Sequence, residues 1–115
     1  MRQLTFGIAL AAITATLVVP GFAPAATRSS TLIGTVGPGF TITMSKKTVK
    51  AGTYTIVIHD KSNIHNFHLI GPGVNKLTST PWVGTKKWTV KLKKGTYRFV
   101  CDPHATSMKG VLRVT

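Results

Sequence analysis

Tyr97-Arg98-Phe99-Val100-Cys101-Asp102-Pro103-His104-Ala105-Thr106-Ser107-Met108-Lys109-Gly110-Val111-Leu112-Arg113-Val114 decides how this chain folds. Tyr97, Phe99 and Cys101 fall on one face of a two-residue period, and so do Leu112 and Val114 after Gly110. A two-residue period marks half-buried strands, so the stretch predicts a strand, a loop bent by Pro103, and a last strand. At the end of the first strand, a thiol (Cys101), an imidazole (His104) and a thioether (Met108) fall within eight residues. Two soft sulfurs with an imidazole suit copper, and a second imidazole upstream, His65, completes a His2Cys set with a weak axial Met.

The same period runs outward along the chain. Residues 31–36 and 40–44 read as two short strands around the turn Gly37-Pro38-Gly39, with Phe40, Ile42 and Met44 on one face. Residues 45–52 read as a solvated, lysine-bearing turn region, and residues 54–60 as a strand with Tyr54, Ile56 and Ile58 inward. Lys61-Ser62-Asn63 breaks that strand, and residues 66–70 resume it until Gly71-Pro72-Gly73. Residues 74–85 have no clean period and read as a loop with room for one short strand. In residues 87–92, Trp88, Val90 and Leu92 point inward. No helical period is sustained in this part of the chain. About seven short strands parted by Gly and Pro turns make an all-β, single-domain Greek-key β-sandwich over residues 31–115.

Residues 1–25 read as a secretory signal peptide: Arg2 at the start, an apolar run from Leu4 to Val19, then Ala23-Pro24-Ala25 as a cleavage site, with Ala26 a near alternative. The run is shorter than the ~20 apolar residues that span a bilayer, so no transmembrane segment is expected. With no twin-arginine pair and no lipobox cysteine, export is expected through the general secretory route, to the periplasm, envelope or exterior. Residues 26–30 read as a disordered lead-in. The remainder, about 90 residues, is one small domain that buries little core and gains from a staple. A lone cysteine makes no internal disulfide, and an unpaired thiol in an exported protein is a liability unless it is occupied. A bound metal answers both needs.

The formal net charge is +13, with two acidic residues, Asp60 and Asp102. An exported protein meets little nucleic acid, so none is expected as a partner. The charge implies solubility and attraction to anionic envelope surfaces. Enzyme chemistry finds little support. Two carboxylates are few for acid–base work, methionine is a poor zinc ligand, and one cysteine cannot bridge a binuclear copper centre.

His65-Asn66 opening a strand, together with Cys101-Asp102-Pro103-His104 and Met108 ahead of Gly110, resembles the cupredoxins, the plastocyanin-like family of blue copper proteins. The resemblance covers nearly the whole domain in strand order. It implies one type 1 copper held by His65, Cys101, His104 and Met108, with Asn66 fixing the ligand loop through hydrogen bonds near Cys101. His68 competes with His65; strand alternation puts Phe67 and Leu69 on the His65 face and Asn66 and His68 on the other. His59 reads as a surface residue. Three residues separate His104 from Met108, between the two of amicyanin-like loops and the four of plastocyanin-like ones. The expected activity is one-electron transfer by a monomer to a redox partner docking near His104. Gly37-Pro38-Gly39, Gly71-Pro72-Gly73, Pro103 and Ala105 would form its apolar collar. A copper-delivery protein of the envelope would carry the same ligands and is the alternative.

Overall fold

The computed structural model describes residues 7, 11–21 and 30–115. Most of the expected signal peptide (1–6, 8–10 and 22–25) and the lead-in residues 26–29 lie outside them. Residues 11–21 form neither helix nor strand. No helix among the described residues is long and apolar enough to cross a membrane.

Nine strands follow in order: β1 (Ser30–Val36), β2 (Ile42–Met44), β3 (Thr48–Val49), β4 (Gly52–Asp60), β5 (His68–Gly71), β6 (Val74–Leu77), β7 (Gly84–Leu92), β8 (Gly95–Val100) and β9 (Lys109–Val114). They form two sheets, β2-β1-β4-β7 and β3-β9-β8-β5-β6, packed as a sandwich. β1 runs parallel to β4 and β3 parallel to β9, while the remaining pairs are antiparallel. Successive strands therefore cross repeatedly between the sheets.

The apolar alternation supplies the core. Tyr54, Ile56 and Ile58 of β4, Val90 and Leu92 of β7, Tyr97 and Phe99 of β8, and Leu112 and Val114 of β9 are all buried. Phe67 joins them from the segment before β5; its ring stacks on Phe99 at 5.9 Å and meets Trp88 edge-on at 6.4 Å. Phe99 lies opposite Gly110 in the β8–β9 ladder, and its ring occupies the space a side chain at Gly110 would need.

The expectations differ from the structure in four places. β1 begins at Ser30, inside the expected lead-in, because Ser30 pairs with Tyr54 of β4. Residues 45–52 contain β3, which lies against β9 and buries Val49; two residues are too few to display a period. In residues 74–85 the one short strand allowed for is β6, an edge strand with only Val74 buried. Phe40 precedes β2 and is 65% exposed, so it does not share the inward face of Met44. β5 begins at His68, which leaves residues 65–67 in the preceding loop.

One end of the sandwich collects the ends of eight strands, with Ile42 of β2 opposite Val36 of β1. Val36 pairs with Asp60, Asp60 with Gly84, His68 with both Leu77 and Val100, and Val100 with Lys109. The loops at that end carry residues 37–41, 61–67, 78–83 and 101–108. Gly71-Pro72-Gly73 turns at the opposite end. There Tyr97 Oη accepts a hydrogen bond from Lys93 N–H (2.9 Å) and donates one to the Pro72 carbonyl (2.8 Å).

Candidate metal centre

Cys101 directly follows β8 and is fully buried. The chain then makes a 3-10 turn over Asp102–His104, with Pro103 inside it where its missing N–H costs nothing. His104 N–H donates to the Cys101 carbonyl (3.0 Å), Met108 N–H to the His104 carbonyl (2.8 Å), and Cys101 N–H to the Met108 carbonyl (3.0 Å). These bonds close the loop on itself and bring Cys101, His104 and Met108 to one place before β9 begins. Met108 is buried and His104 is partly exposed.

His65 arrives from the loop between β4 and β5 and is fully buried. Its Nδ1 lies 3.1 Å from His104 Nδ1, and Cys101 Sγ lies 3.7 Å from the first and 3.6 Å from the second. Three donor atoms thus make a compact triangle. Bonds of about 2.0 Å to imidazole nitrogen and about 2.3 Å to thiolate sulfur, the lengths zinc makes, would span such a triangle at angles of roughly 100–120°. The donor set therefore fits a metal, and its softness fits copper. His65 Nε2 is buried without a hydrogen-bond partner. The ring edge lies under Gly37, where a side chain would come within 2.9 Å of Ser62 Cβ and 3.5 Å of His65 Cδ2. Gly37 also adopts φ +72°, a left-handed conformation that suits glycine.

Asn66 joins the two ligand loops. Its Oδ1 accepts from Asp102 N–H (2.7 Å), and its Nδ2 donates to Asp102 Oδ2 (2.8 Å) and to the Thr78 carbonyl (3.3 Å). Asn66 lies before β5, outside the strand whose alternation was expected to turn it outward, and it is buried against the Asp102 turn. His68 lies outside the donor triangle. Its Nδ1 sits 2.8 and 3.1 Å from the Asp102 carboxylate oxygens and its Nε2 2.6 Å from Asn75 Oδ1. Burial alone would raise the Asp102 pKa, but hydrogen bonds from Asn66 and His68 and the charge of His68 hold it below the ordinary value. His59 is likewise outside the site, with Nδ1 3.1 Å from Thr85 Oγ1.

Three residues of this end carry no sequence signal. Thr78 is fully buried; its Oγ1 accepts from Phe67 N–H (2.9 Å) and donates to Asp60 Oδ2 (3.3 Å), tying the 78–83 loop to the His65 segment. Asp60, also buried, accepts from Ser62 N–H (3.1 Å). Burial pushes its carboxyl above the ordinary value, against the pull of Ser62, Thr78 and the charge of His65. Phe40 stands edge-on to the rings of His65 and His104, at 5.1 and 5.0 Å. The expected collar needs correction. Gly37-Pro38-Gly39, Pro103 and Ala105 lie at the site end, but Pro72 packs near Gly95 at the start of β8, the far end from Cys101.

Among solved structures, rusticyanin from Thiobacillus ferrooxidans is similar at a TM-score of 0.55 and 22% identity, covering 74% of this chain and 76% of that one. Auracyanin A from Chloroflexus aurantiacus, described as a "blue" copper protein, gives 0.52 and 20%, covering 76% and 99%. Reduced auracyanin from Roseiflexus castenholzii gives 0.53 and 21%, covering 76% and 98%. At these identities the likeness shows the fold. No curated protein sequence matches the chain. The family described as copper binding proteins, plastocyanin/azurin family, matches residues 32–115. That span takes in nearly the whole sandwich and all four residues of the type 1 copper-like site, His65, Cys101, His104 and Met108, and the chain belongs to this family.

Proposed function

We propose that the protein is an exported one-electron carrier, with a single copper held by His65 Nδ1, His104 Nδ1 and Cys101 Sγ, and with Met108 as the weak axial donor. The observation that carries this reading is the donor triangle of 3.1, 3.6 and 3.7 Å, built from two loops that Asn66 locks together. Copper bound by thiolate and imidazole supplies a one-electron couple between Cu(II) and Cu(I). The chain's own part is to keep the donors still. His65 and Cys101 are fully buried, and the loop bonds around His104 and Met108 leave little room to rearrange, so a change of charge meets a fixed frame. His104 and Phe40 form the exposed edge, which is where a redox partner would dock. The positive charge favours an anionic partner or envelope surface.

Adding Cu(II) to the mature protein should give strong visible absorption from thiolate-to-copper charge transfer, with reversible one-electron voltammetry. A colourless Cu(II) complex would refute the site. A blue protein that exchanges electrons slowly and hands Cu(I) tightly to a recipient apoprotein would refute the carrier role in favour of delivery.

A further inference from the structure

Asp102 follows the cysteine directly, and its carboxylate is held by two side chains that are not among the three donors. Asn66 Nδ2 holds one oxygen at 2.8 Å, and His68 Nδ1 holds both, at 2.8 and 3.1 Å. His68 is in turn fixed by Asn75 on the neighbouring strand, with Nε2 2.6 Å from Asn75 Oδ1. The chain has only two acidic residues, and this one is beside the metal site. An anion there stabilises Cu(II) over Cu(I), and with 46% of the Asp102 side chain exposed, water moderates the effect without removing it. The same residue's N–H donates to Asn66 Oδ1, so the carboxylate and the loop backbone move together.

We infer that His68 is a positioning residue: through the chain Asn75–His68–Asp102–Asn66 it clamps the cysteine loop and offsets the Asp102 charge, which keeps the copper potential up. A residue that orients a ligand loop from one shell out tunes the metal without touching it. Charge-assisted hydrogen bonds of this length are the stronger kind, so their loss is felt at the loop. The inference rests on the copper reading above for its effect on potential, while the clamp itself exists in the metal-free chain.

The test compares His68→Leu, which fills the space without a donor, with His68→Gln, which restores one. His68→Leu should stay blue and have a lower potential, and His68→Gln should return toward the wild type. In an Asp102→Asn background, which alone raises the potential, His68→Leu should cause no further fall. An unchanged potential in His68→Leu, or an equal fall in both backgrounds, overturns the inference. Hydrogen exchange of the Asp102 amide in metal-free protein provides an independent arm. It should quicken several-fold in His68→Leu and stay slow in His68→Gln, and equal rates in all three proteins overturn the clamp. If wild-type protein never turns blue, the copper reading fails and the amide rates alone decide the clamp.

Discussion

Cys101 has no substitute in the donor triangle, because a hydroxyl forms no thiolate charge-transfer bond. Cys101→Ser should therefore abolish the visible band while the fold persists by circular dichroism. Met108→Leu should keep the colour and raise the potential, since losing a weak axial donor disfavours Cu(II) more than Cu(I). A falling potential would show that Met108 is not axial. Asp60 gives a pH signature. Its folded pKa is raised above the ordinary 3.8 by burial, so the native state holds the proton longer than the unfolded chain. Its contribution must then weaken stability as pH rises from 3.8 through the raised value. Asp102, shifted down, works in the opposite sense: its contribution is present above 3.8 and lost as pH falls through its lowered value. Asp60→Asn should flatten the decline on the rising side, measured by urea unfolding across that range.

At the level of elements, the β8–β9 ladder positions three of the four site residues, and its Phe99–Gly110 contact sets how closely the strands lie. Gly110→Ala should force the Phe99 ring aside and cost about 1–3 kcal/mol in denaturant unfolding, as overpacking does. A neutral result would show that the ring has room to move. The alternation of β4, β8, β9 and the second half of β7 was legible because one face of each is buried. β3 was not, since it is two residues long, and β6 was legible only as room for a short strand, since it is an edge strand with a single buried side chain. The site divides the same way. His65, Cys101, His104 and Met108 were visible as a donor set, and Asn66 through the family resemblance that its place after His65 carries. Thr78 and Phe40 reach the site by loop path alone, and neither residue type signals its role. The misplaced Gly71-Pro72-Gly73 collar has the same origin: a turn is recognisable from sequence, but the end of the sandwich it occupies depends on strand direction.

For the molecule as a whole, the metal links two loops whose ligands stand far apart in sequence, so binding and folding are coupled. Free copper at a hundred times its dissociation constant adds ~2.7 kcal/mol. One kcal/mol moves Tm by roughly 4–8 °C for a domain of this size. Stripping copper should thus lower Tm by about 10–20 °C by calorimetry, and an unchanged Tm would place the copper outside the folded core. The full burial of Cys101 has a further consequence, for the time before any metal arrives. A thiol in an oxidising compartment is lost to sulfenic acid or to a dimer-forming disulfide when oxidants reach it. In the exported protein proposed above they would reach it only when the loop end of the sandwich opens, so the rate of damage would follow the opening equilibrium rather than the concentration of oxidant alone. The folded chain is in this sense its own preservative, able to wait unmetallated with its sulfur intact.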